Sequence, residues 1–155
     1  MKPQWLLILG LVFLSGADAN EDAVKKELKN LEGTWILTAV EFDGKEPDPQ
    51  DVTSDARCEW VFGGNKYTYG QVGAMYKKRE GFLRLDPSKK PKTFDVSPTE
   101  AFKPGETFYE IYELEGDTLK ISSVNKESMK PEERPKEFKT APKAGVVIMH
   151  WKRKP

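Results

Sequence analysis

The sequence predicts an all-β fold, an antiparallel up-and-down β-barrel of about eight to ten strands behind one short N-terminal helix. Three observations predict it. Short runs of β-branched and aromatic residues follow one another at close spacing, divided by turn signals such as Asp43-Gly44, Gly63-Gly64-Asn65 and Gly116-Asp117. Nothing between them has the length or periodicity of a crossover helix, which leaves a meandering barrel or sandwich and removes any βαβ fold. Finally, Gly33-Thr34-Trp35 stands where the helix gives way to the first strand: a glycine for a sharp bend, then a ring large enough to plug the closed end of a small barrel.

Taken in order, residues 1–19 read as a targeting segment. Lys2 gives a positive start, Trp5 to Leu14 is an apolar run broken only by Gly10, and Ala17-Asp18-Ala19 places small residues where a signal peptidase reads them. The apolar run is far short of the ~20 residues of a membrane-spanning helix. No cysteine near the junction offers a lipid anchor. The expectation is a signal peptide cleaved after Ala19, a periplasmic or extracellular location, no membrane span thereafter, and one domain over residues 20–155.

Ala23, Val24, Leu28 and Leu31 recur at helical spacing, predicting a helix over 21–31 that ends before Gly33 and covers one end of the barrel. Residues 34–42 form the first strand. The polar stretch 46–56, with Pro47 and Pro49, is the longest early connection and a candidate lid over the open end. Residues 57–62 and 66–69 make a hairpin in which Cys58, Trp60 and Phe62 share one face and Tyr67 and Tyr69 share another. A frayed strand near 72–77 is followed by strands at 81–86 and 93–96, closed by Asp86-Pro87 and Ser97-Pro98. In 107–114, Phe108, Glu110, Tyr112 and Leu114 alternate against Tyr109, Ile111 and Glu113; 118–124 returns with Leu119 and Ile121 inward. Residues 125–135 form a charged loop, 135–140 a short strand around Phe138, and 145–151 the last strand, with Val147, Met149 and Trp151 on one face.

Charge excludes some functions. Lys+Arg and Asp+Glu balance at 25 each, so no net field draws the chain to nucleic acid or an anionic surface. Cys58 is the one cysteine, so no internal disulfide staples the fold, and the expected role is a small buried residue beside Trp60. His150 is the one histidine, on an alternating strand with no catalytic or metal-binding signature around it. Aspartates fall in turns, and no phosphate-cradling glycine loop or Cys-x-x-Cys is present. The reading is therefore no enzyme and no cofactor.

Leu31-x-Gly33-Thr34-Trp35, Leu85-Asp86-Pro87 with Lys90-Pro91-Lys92-x-Phe94-Asp95, Ile111-Tyr112-Glu113-Leu114-x-Gly116-Asp117-x-Leu119, Arg134-Pro135-x-x-Phe138 and the closing Lys152-Arg153 together resemble the uncharacterised lipocalin-like domain abundant in exported planctomycete proteins. The resemblance runs in order over most of residues 20–155. It implies a lipocalin-like barrel and carries over no catalytic residue. It also implies that Trp35 packs under a basic side chain just past the last strand, Arg153 or alternatively Lys152, with Gly33 at the bend.

Two functions follow as expectations. In one, a small apolar or amphipathic ligand occupies the barrel, lined by Trp60, Tyr67, Tyr69, Phe82, Tyr109 and Tyr112. In the other, the barrel is filled, and loops 43–57 and 125–135 meet a cell-surface protein or glycan. None of the further motifs of well-studied lipocalins is present to choose between a hollow barrel and a filled one.

Overall fold

The computed structural model describes residues 16–47, 58–71, 78–100, 106–125 and 130–155. All but the first two residues of the expected lid at 46–56, and the expected strand near 72–77, lie outside the described residues. Among the described residues one α-helix, α1 (Gly16–Leu31), precedes eight strands: β1 (Gly33–Phe42), β2 (Cys58–Gly63), β3 (Lys66–Gln71), β4 (Arg79–Asp86), β5 (Lys92–Pro98), β6 (Phe108–Glu115), β7 (Thr118–Val124) and β8 (Val146–Arg153). Each strand pairs antiparallel with the next and β8 returns to β1, so the sheet is a closed, lipocalin-like all-β barrel. Closure leaves no edge strand exposed.

Helix α1 begins earlier than its periodicity indicates and runs through the Ala19–Asn20 junction. An exposed Glu21–Lys25 ion pair of 2.8 Å at i,i+4 supports its outer face. Its inner face presents Leu28 and the fully buried Leu31 to the barrel. The turn out of the helix needs Gly33, whose φ of +119° lies where side chains are rarely accommodated, and where a Cβ would stand 3.1 Å from the Arg153 guanidinium.

Two strands bring the ends of the chain together. Trp35 pairs with Arg153 and Leu37 with Trp151; beyond them the register shifts, so that Ala39 pairs with His150 and Val40 with Met149. Thr38 is the extra residue, and its hydroxyl donates to the His150 carbonyl at 3.0 Å. The bulge changes the chain's parity. Unbroken alternation from Trp35 would have carried Glu41 into the barrel. Instead Val40 and Phe42 share the lining face with Met149 and Val147, while Glu41 meets His150 Nε2 at 2.5 Å on the outside.

Sequence reading placed a strand at 135–140; the described chain has none there. Pro135 withholds a ladder donor; after a 3-10 turn at Pro131–Glu133 the chain runs as a strap over the outer face of β6 and β7. Ile111, Ser122 and Ile148 lie in register on that outer face, and each is at most 1% exposed. Arg134 pins the strap, bridging to Asp95 at 2.7 Å and donating to the Glu110 carbonyl at 2.7 Å. Lys120 lies 4.8 Å from the Phe138 ring, and Gly44 N–H donates to Thr140 Oγ1 at 3.1 Å.

At the closed end the Arg153 guanidinium stands 4.3 Å from the centre of the Trp35 ring. It also donates to the carbonyls of Glu32 and of Asn30, the latter at 2.6 Å, and so satisfies acceptors that α1 leaves open at its last turn. The Trp35 indole N–H takes another of these, the Leu31 carbonyl, at 2.8 Å. Helix, first strand and last strand are joined at one point.

Trp35→Ala should therefore cost ~3–5 kcal/mol in urea unfolding, and the double-mutant cycle with Arg153→Ala should give a Trp35–Arg153 coupling of ~0.5–2 kcal/mol. Part of the Arg153 loss should persist without Trp35, because the guanidinium caps α1 independently. Strict additivity would mean that ring and guanidinium do not interact.

Candidate functional site

The interior has two unlike halves. In the closed half, Trp60 is the hub of an aromatic cluster, with ring centroids 5.1 Å from Phe62, 5.2 Å from Trp151, 5.6 Å from Phe94 and 5.9 Å from Tyr67. Trp35, Leu31, Leu119 and Ile121 complete a filled core. Tyr112 belongs to this half: its ring lies 5.8 Å from Phe94, and its hydroxyl donates at 3.0 Å to Glu27 of α1, which also pairs with Lys92 at 2.6 Å.

Above the cluster the inward side chains become short. Ser123 from β7, Val147 and Met149 from β8, and Val96 from β5 do not meet across the barrel, and a pocket of about 350 Å³, bordered also by Val124, opens between them. Its floor and walls include Trp60, Tyr67, Tyr69, Phe108 and Trp151, with Arg79 also in the lining. Gly81 helps to seat Tyr67: a Cβ there would collide with the Ser97 carbonyl and lie 2.8 Å from the Tyr67 ring.

One carboxyl lies in this wall. Glu110 is inward because β6 alternates Phe108, Glu110 and Tyr112 on its lining face, and it is only 5% exposed. Burial pushes its carboxyl from the ordinary 4.5 up to about 8; Asp95 adds to the rise, while the Ser123 hydroxyl that hydrogen-bonds to it and the Arg134 charge oppose it. At neutral pH, Glu110 is therefore mostly a protonated acid, able to donate as well as accept. Its Oε2 is buried without a hydrogen-bond partner among the described residues, and so are the indole nitrogens of Trp60 and Trp151. Three unpaired polar atoms thus belong to residues lining one pocket. Desolvation also raises the phenols, Tyr67 to about 12 and Tyr69 well above its usual range, so both are neutral donors.

Of the lining candidates named from sequence, Trp60, Tyr67 and Tyr69 are in the pocket wall. Tyr112 faces inward but lies in the filled half. Phe82 is on the outer face, 45% exposed, because Leu83 and Leu85 hold the inward phase of β4. Tyr109 is also outward, under the Arg134 guanidinium at 5.3 Å, since the strand that turns Tyr112 in must turn Tyr109 out. Cys58 corrects another expectation: it is half-buried rather than buried, and its Sγ accepts a hydrogen bond from the Tyr69 hydroxyl at 3.2 Å. Glu110, Arg79 and Ser123 were not named as candidates. For Glu110 the signal was present, a charged residue in phase with Phe108 and Tyr112.

Among the described residues no group of three or more His, Cys, Asp or Glu side chains could hold a metal ion, and no helix is long and apolar enough to cross a membrane. No family model, curated protein or solved structure matches the chain.

The buried acid makes stability depend on pH with a definite sign. Between pH about 4.5 and about 8, the unfolded chain releases a proton that native Glu110 retains, so its contribution makes the unfolding free energy fall as pH rises. Glu110→Gln should remove that component: relative to wild type the variant should gain progressively through this window and level off above it, by roughly 2–4 kcal/mol. Urea unfolding at pH 4, 6, 7 and 9 measures the difference. Parallel profiles would mean that native Glu110 titrates as it does in the unfolded chain.

Proposed function

We propose that the protein is an exported, non-enzymatic carrier that holds a small amphipathic ligand in the open half of its barrel. The observation that carries this reading is the pocket of about 350 Å³, walled by aromatic and aliphatic side chains and containing the neutral acid Glu110. That volume is near the lower end of small-molecule sites, ~300–1,000 Å³. A compact ligand fits; a long acyl chain does not, because the aromatic cluster blocks the barrel below. Two further observations support the reading: the signal-like segment ending at Ala17-Asp18-Ala19 and the resemblance of residues 31–153 to an exported lipocalin-like domain.

Anilinonaphthalene sulfonate, an amphipathic aromatic probe, should bind the native protein saturably at a single site and quench the tryptophan emission to which Trp60 and Trp151 contribute. Absence of saturable binding by this probe and by smaller neutral aromatics would contradict a carrier and favour a module acting through its surface loops. Protein recovered from an exporting host should begin at Asn20. Retention of residues 1–19 would remove export from the reading.

A further inference from the structure

The pocket's polar groups are mostly donors. We propose that Glu110 is a proton-gated anchor: in its acid form it donates a hydrogen bond to an acceptor oxygen of a flat aromatic or conjugated ligand lying against Trp60 and Trp151, and on ionising it releases that oxygen. This rests on the carrier reading and adds to it the chemical class of ligand and the control of its binding.

Three features of the site carry the inference. A carboxyl that is 5% exposed in a mostly apolar wall has an oxygen with no partner, a situation that costs free energy unless a bound group supplies the bond. Trp60 and Trp151 stand 5.2 Å apart, both in the same wall, and each has an unpaired indole N–H, which can only donate. Of the other neutral groups near the acid, Tyr67 adds a hydroxyl donor, while the Tyr69 hydroxyl is given to Cys58 Sγ and that of Ser123 is bonded to Glu110. A donor-rich aromatic wall selects a ring system bearing a carbonyl or ether oxygen. It disfavours a hydrocarbon of equal size, because the same polar groups would stay unsatisfied.

Gating follows from the chemistry of the carboxyl. As an acid Glu110 has an O–H to give; as a carboxylate it only accepts, and it repels the lone pairs of the ligand oxygen. The charged and titratable groups around it set where this happens: Asp95 on β5 and Arg134 on the strap from outside, Tyr67 and Tyr69 on β3, Arg79 on β4 and Cys58 on β2. The inward residues that β1, β7 and β8 bring to this level, among them Val40, Ser123, Val147 and Met149, do not ionise. Of these groups, burial places Glu110 in the window just above neutrality.

A matched pair of neutral probes tests this: acetylnaphthalene, which has an acceptor oxygen, and ethylnaphthalene, which has none. Neither ionises, so any pH effect belongs to the protein. At pH 6 the ketone should bind roughly fivefold or more tightly than the hydrocarbon, as one buried neutral hydrogen bond allows, and by pH 9.5 the preference should fall roughly fivefold in wild-type protein. Glu110→Gln, which keeps a donor, should retain a ketone preference that no longer varies with pH; Glu110→Leu should show the reduced preference of wild type at pH 9.5 at every pH while still binding ethylnaphthalene. Equal affinities for both probes at pH 6, or a ketone preference unchanged at pH 9.5, would overturn the anchor and leave the carrier reading intact. Failure of both probes to bind at any pH would remove the carrier reading itself.

Discussion

Closure of the sheet between β1 and β8 is the constraint on which the rest of this molecule depends. An eight-stranded meander becomes a barrel only if its first and last strands, more than 100 residues apart, find one register. Two devices set that register. Arg153 holds the lower end by resting on Trp35 and capping α1, and Thr38 resets the phase above it. The bulge matters for the interior as much as for the seam, since it places Val40 and Phe42 in the lining phase and Glu41 outside it.

With the seam fixed, side-chain volume divides the interior. Eight strands enclose a space just wide enough for side chains to fill, so a level rich in tryptophan and phenylalanine is solid and a level of valine and serine is hollow. Trp60, Trp151, Phe94 and Phe62 form the solid level; Ser123, Val96 and Val147 form the hollow one. The expected choice between a hollow barrel and a filled one is therefore resolved by height. Glu110 occurs at the hollow level, where its carboxyl is dry enough to keep its proton and is hydrogen-bonded to Ser123.

Period-2 patterning made much of this legible in the sequence. The antiparallel meander, the β6–β7 hairpin and the inward phase of Leu119 and Ile121 are local patterns, whereas the Trp35–Arg153 contact was implied only by the resemblance to a lipocalin-like domain. Choosing pocket residues by aromatic identity instead of phase placed Phe82 and Tyr109 inside, although Leu83 and Tyr112 already fixed the opposite phase. The bulge at Thr38 was not legible, because an extra residue has no composition of its own. Nor was the strap: Phe138 looked like a strand centre because its partner is Lys120 on the outer face, a contact that no local pattern encodes. Glu110 was hidden by its charge, which suggests a solvated site unless its strand neighbours are read with it.

The central claim, that the open half of the barrel is hollow, is tested most directly by trying to fill it. Val147 lines the pocket from β8, opposite Ser123 in register, and Val147→Phe adds a ring to that space. If the half is hollow, the unfolding free energy of the variant in urea should stay within ~0.5 kcal/mol of wild type or exceed it, since the added apolar area is buried without displacing neighbours. A loss of ~1–3 kcal/mol, the usual penalty of overpacking a filled core, would contradict the claim and return the barrel to the filled class.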